Sequence, residues 1–158
     1  MDKIKLLKTL TELKINRDNC TVKVVGTSME PLISDGDMVW LEMSKKYQTG
    51  DIIVAIDTRG RILTHRILKI TGEALFIKGD NAVALEKVMK ENCIGKVVKI
   101  SKHNGESYLI YYGLRSKLIT IFSTMMNRQF TRTKDYKKTM NSIYRKFILR
   151  LLKNSNVR

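Results

Sequence analysis

Residues 26–40, GTSMEPLISDGDMVW, gather the residue types that could do covalent chemistry. Ser28 follows a Val-rich run and a Gly-Thr pair, and stands just before Met29 and the only proline, Pro31. A hydroxyl at the end of a strand, ahead of a rigid proline turn, is held at a sheet edge with its oxygen exposed. Asp35-Gly36-Asp37 then reads as a tight turn that opens the next strand. Gly-x-Ser by itself also describes a structural turn serine, so a nucleophile here requires a base.

The chain has two histidines. His103 lies in KHNGE, a turn open to solvent. His65 sits inside the apolar run ILTHRIL, where strand alternation puts Leu63, His65, Ile67 and Lys69 on one face and Ile62, Thr64, Arg66 and Leu68 on the other. Burial on such a face disfavours the imidazolium and keeps the ring neutral, the form that accepts a proton. A hydrogen-bonded core histidine would show the same pattern. The segment KGDNAVALE, residues 78–86, supplies acids near a Gly-Asp-Asn turn. Asp80 there is either an ordinary turn residue or the group that accepts the second ring N–H of His65, in the manner of a catalytic triad.

These side chains must be positioned by strands. TVKVV, DMVWLE, DIIVAI, RILTHRILKI, ALFIK, CIGKVVKI and SYLIYY are rich in Val and Ile and bounded by Gly, Asp or Asn. Seven short strands with no long helix between them predict a mainly β domain, a coiled antiparallel sheet or barrel, over residues 20–112. Before it, Leu6, Leu7, Leu10 and Leu13 predict a short amphipathic helix over residues 2–15, followed by a turn at Asn16–Cys20. Residues 1–19 thus form an N-terminal helical segment. After it, residues 113–158 carry two amphipathic patterns, one through Leu114, Leu118, Ile121, Phe122 and Met125, the other through Met140, Ile143, Phe147, Ile148 and Leu151. They read as a basic helical appendix.

The net charge of +15 is concentrated there, because residues 106–158 hold twelve Lys/Arg against Glu106 and Asp135. Such a tail suits an anionic partner, and Lys/Arg opposite Phe, Ile and Leu suits a membrane surface. No motif supports nucleic acid. Cys20 and Cys93 form no CxxC pair and read as packed thiols in a reducing compartment. The N-terminal MDKIKLLKTLTELK lacks an apolar core with a cleavage site, and no run is long and apolar enough to span a bilayer. The expected location is cytoplasmic, with peripheral contact at the inner membrane face. No cofactor and no metal are expected.

Taken in order, SMEP-x(4)-GD at Ser28–Asp37, Gly50-Asp51, HRI at His65–Ile67, KGDN at Lys78–Asn81 and IGKVV at Ile94–Val98 resemble the signal-peptidase and LexA-type serine peptidase superfamily. The resemblance covers about residues 20–112. Most bacterial members use a lysine base, whereas His65 at that position is similar to endoplasmic-reticulum and archaeal-type signal peptidases. It implies Ser28 as the acylated nucleophile, His65 as general base, Met29 and Pro31 beside the substrate, and cleavage after small residues. In histidine-type members the acid lies a few residues past the GDN turn, where this chain has Ala84, Leu85 and Glu86. The third member is therefore Glu86, Asp80 or absent. Some members place a hydroxyl two residues before the nucleophile to bind the oxyanion. Here that residue is Gly26, leaving the N–H of Ser28, with the Thr27 hydroxyl second, as donor.

The expected function is a serine endopeptidase that processes a leader or signal-like peptide. Two alternatives are a peptidase-fold binding protein with weak or lost catalysis, and a LexA-type self-cleaving regulator. The second is disfavoured because about 20 residues precede the first strand, too few for a helix-turn-helix domain, and no Ala-Gly pair occurs.

Overall fold

The computed structural model describes residues 14–16, 19–43 and 46–110, and beyond them positions 121 and 146 alone. Its strands are β1 (Lys14–Asn16), β2 (Asn19–Lys23), β3 (Met38–Glu42), β4 (Ile52–Ile56), β5 (Ile62–Thr71), β6 (Ala74–Lys78), β7 (Glu86–Met89), β8 (Cys93–Ser101) and β9 (Ser107–Leu109). All pairings are antiparallel and join one sheet in the order β1-β2-β3-β8-β4-β5-β6-β7, with β9 beside the second half of β8. The result is a mainly β, curled half-barrel.

The curl follows from β4. IIVAI shows no alternation because every one of its residues is buried, as in a strand covered on both faces. Ile52 and Val54 enter a larger core with Val22, Val39, Leu41, Val97 and Ile100. Ile53 and Ala55 enter a smaller one with Ile67, Leu75, Ile77 and Val88. Register breaks between Val54 and Ala55, between Trp40 and Leu41, and between Ile67 and Lys69 add local twist. The last of these departs from strict alternation: past it Ile70, not Lys69, packs on the Ile67 face.

The seven expected strands are present, and two more join them. β1 occupies Lys14–Asn16, so the helix expected over residues 2–15 does not extend to Lys14 and Ile15. Of the turn expected at Asn16–Cys20, Asn16, Asn19 and Cys20 belong instead to paired strands, with Asn16 opposite Asn19 and Ile15 opposite Cys20, and the remainder lies outside the described residues. β7 lies at Glu86–Met89, a stretch with no strand expectation. The rest of the N-terminal helix and the helical appendix of residues 113–158 lie outside the described residues.

Candidate active site

Ser28 is held by the turn that joins β2 to β3. The hairpin continues beyond β2, with the Val24 N–H donating to the Asp37 carbonyl at 2.8 Å and the Gly36 N–H to the Val24 carbonyl at 2.9 Å. The chain leaves it at Gly26, whose φ of 95° suits glycine, and the Gly26 N–H donates to Asp35 Oδ1 at 2.7 Å. Met29, Leu32 and Ile33 then drop into the larger core. Lys102 Nζ ties the turn from outside, donating to the Leu32 carbonyl and to Asp37 Oδ2, each at 2.7 Å. An apolar anchor beneath and an ion pair behind leave Ser28 half-buried and facing outward.

His65 comes from the middle of β5, opposite Ile53 of β4. Its Nε2 stands 3.2 Å from Ser28 Oγ, and its Nδ1 stands 2.6 Å from Glu86 Oε2. A carboxylate this close to Nδ1 favours the tautomer with its proton there, in which the Nε2 lone pair accepts from the serine hydroxyl. The Nδ1–Oε2 contact is within ion-pair distance but off the axis of a hydrogen bond, and neither atom has another hydrogen-bond partner among the described residues. Catalytic hydrogen bonds commonly tighten only when substrate is bound. Burial pushes the His65 pKa below the ordinary histidine value, and the Glu86 carboxylate restores only part of it.

Asp80 does not meet the imidazole. Its two oxygens accept from Nε and Nη2 of Arg66 at 2.8 and 2.7 Å, and Arg66 Nη1 also donates to the Gly50 carbonyl at 3.0 Å. Both side chains are buried, 2% and 0% exposed. The expectation that Asp80 orients His65 is therefore corrected: the carboxylate is committed to an adjacent buried cation, and Glu86 occupies the position beside Nδ1. Asp80 instead fixes the Gly79-Asp80-Asn81 turn against the nucleophile. The Asn81 N–H donates to the Ser28 carbonyl at 2.8 Å and Asn81 Nδ2 to the Thr27 carbonyl at 3.1 Å. Gly79 lies so close that a Cβ there would stand 2.5 Å from the Ser28 carbonyl oxygen.

A groove of about 300 Å³ opens beside the pair, lined by residues 22–25, residues 62–65 and Ser28. Both walls are strand edges. β1 pairs β2 only through Thr21, and β6 pairs β5 only from Arg66 onward. Among the described residues, no strand covers the outer edge of Val22–Val25 or the edge of Ile62–His65 on that side. Neither Met29 nor Pro31 lines this groove. Met29 is 1% exposed and packs in the core, so its side chain supports the turn and does not face a substrate. Among the described residues no acceptor engages the Ser28 N–H or the Thr27 hydroxyl.

His103 is exposed in its turn, as expected. Arg66 and Asn81 are the site residues that the motif reading missed. An arginine inside an apolar strand run signals a buried acid partner, and that signal was present in ILTHRIL.

Among known protein families, the one described as Peptidase S24-like matches residues 2–98. A comparison with curated proteins gave no match.

Proposed function

The chain belongs to the Peptidase S24-like family, within the LexA and signal-peptidase superfamily, a family of serine peptidases, and from that premise we propose that it is an endopeptidase that cleaves an extended leader or signal-like peptide through an acyl-enzyme on Ser28. The observation that carries this reading is the line Ser28–His65–Glu86 beside a groove walled by two strand edges that no other described strand covers. Open edges offer backbone N–H and C=O groups to an extended peptide, which would lie between them as an added strand. His65 takes the proton from Ser28 Oγ as that oxygen attacks the scissile carbonyl. The imidazolium, balanced by Glu86, returns the proton to the leaving amine. Water activated by the same imidazole then releases the acyl group from Ser28. The Ser28 N–H is the first candidate donor to the oxyanion and the Thr27 hydroxyl the second.

Small residues beside the scissile bond fit this reading, since the aliphatic residues Val24, Ile62 and Leu63 line the groove. The test is mass spectrometry of the protein mixed with the p-nitrophenyl ester of a short acetylated alanine peptide. An acyl adduct on Ser28, absent from Ser28→Ala, supports the peptidase. The lack of any adduct on the native protein would leave a peptidase-fold binding protein. Cleavage of the chain itself with no turnover of added peptide would point to a self-cleaving regulator.

A further inference from the structure

The two oxygens of Glu86 have different neighbours. Oε2 lies against His65, while Oε1 stands 3.8 Å from Nη2 of Arg61. Arg61 directly precedes β5, and its Nε donates to Asp57 Oδ2 at 2.7 Å. Asp57 is itself fixed, because its Oδ1 accepts the N–H groups of Arg59 and Arg61, each at 2.8 Å, and its own N–H donates to the Arg61 carbonyl at 3.0 Å. The guanidinium therefore has a rigid foot. A continuous line of polar contacts runs Asp57–Arg61–Glu86–His65–Ser28.

A holder is needed at this point. Glutamate has one more rotatable bond than aspartate, and each free torsion costs orientation. Glu86 also begins β7, which among the described residues pairs only with β6, and it follows the exposed Val83–Leu85 segment. Its contact with Nδ1 is short but poorly aligned, so nothing in the contact itself fixes the carboxylate plane.

We propose that Arg61 is a positioning residue for the serine–histidine site: its guanidinium, footed on Asp57, holds Oε1 of Glu86 so that Oε2 stays against His65. The planar fork matters, because Nε and Nη2 reach two carboxylates at once, which a single ammonium does not. This inference rests on the peptidase reading for its effect on acylation, and not for its effect on the histidine.

The charged groups that face His65 are Glu86 at the start of β7, and Lys78 and Asp80 from β6 and the turn after it. Those that face Glu86 are His65 and Arg61, with Asp57 behind. Loss of a cation that acts only through its field would make the imidazolium easier to form and raise the titration midpoint of His65. Loss of a holder lets the carboxylate retreat and lowers that midpoint. The two roles have opposite signs.

The experiment is an imidazole ¹⁵N NMR titration of the full chain, with His103→Gln leaving His65 as the sole histidine. Arg61→Gln, which keeps most of the stem, and Arg61→Lys are compared with the parent. The expected result for both is a fall of about half a unit in the His65 midpoint. In parallel, the burst of p-nitrophenolate from the alanine peptide ester should slow about two- to fivefold, with Lys giving no rescue. A midpoint that rises or stays fixed in Arg61→Gln, or full recovery in Arg61→Lys, would overturn the proposal. A parent protein with no burst removes the peptidase reading instead, and the titration alone then decides for or against Arg61.

Discussion

Burial sets the direction in which His65 titrates, and with it the pH at which Ser28 can be activated. Since the desolvated ring loses its proton more readily than an ordinary histidine, the base is already neutral at neutral pH. The acid limb of the pH–rate profile should therefore fall below the usual histidine value and steepen no further above it. A limb above that value would show that Glu86 outweighs burial. Ser28→Ala and His65→Ala should each abolish turnover with the fold retained, and the double variant should be barely worse than either, because the two act as a unit. The two acids part company. Glu86→Gln should slow single-turnover acylation at unchanged melting temperature. Asp80→Asn strands Arg66 in the interior and should cost about 3–5 kcal/mol of stability, read by urea unfolding. Sequence spacing left Asp80 and Glu86 open, and register separates them. Ile67, Ile77 and Glu86 share one cross-strand row, which places Glu86 on the face of His65. Arg66 pairs with Lys78, so Asp80, two residues further on, falls to the face of Arg66. Strand pairing is a non-local property, and no local spacing contains it.

At the scale of elements, what was legible tracks how many apolar residues each strand contributes. β4, β5 and β8 announce themselves through Val and Ile because both cores draw on them. β7 buries Val88 alone, and β1 has only Ile15 as an aliphatic residue, so neither displays a period. The turn at residues 79–81 matters more to the site than its length suggests. It closes the β6 end of the sheet onto the backbone of Ser28 through Asn81 and through the missing side chain of Gly79. A methyl group there would also stand 3.0 Å from Ser28 Cβ. Gly79→Ala should thus displace the nucleophile relative to His65 and lower kcat by about 100-fold, the scale expected of an ångström-sized misplacement. Substrate affinity should change little, since the groove walls are β2 and β5. Steady-state kinetics on a cleaved peptide separates the two; a raised KM at unchanged kcat would place the turn in binding instead.

On the scale of the whole molecule, the charge and the chemistry are in different places. Among the described residues, every member of both cores lies between Cys20 and Ile110, and so do Ser28, His65 and Glu86. Two thirds of the net charge comes from residues 106–158. The apolar spacing of Met140, Ile143, Phe147, Ile148 and Leu151, with Arg145, Lys146, Arg150 and Lys153 around it, predicts an amphipathic segment with a cationic face. We propose that this segment docks the enzyme on anionic membrane and takes no part in peptide-bond chemistry. Each basic residue near such a surface contributes about 1 kcal/mol, so four or five give measurable binding that salt weakens. Truncation after residue 112 should leave ester acylation at Ser28 unchanged and abolish co-sedimentation with phosphatidylserine vesicles at low salt. The competing role, a cover packed on the sheet, predicts the reverse. Exposed sheet would then make the truncated protein aggregate, and the full chain would ignore the vesicles. Sedimentation of both forms at low and high salt distinguishes the two, because salt should release a docked segment while leaving a packed one in place.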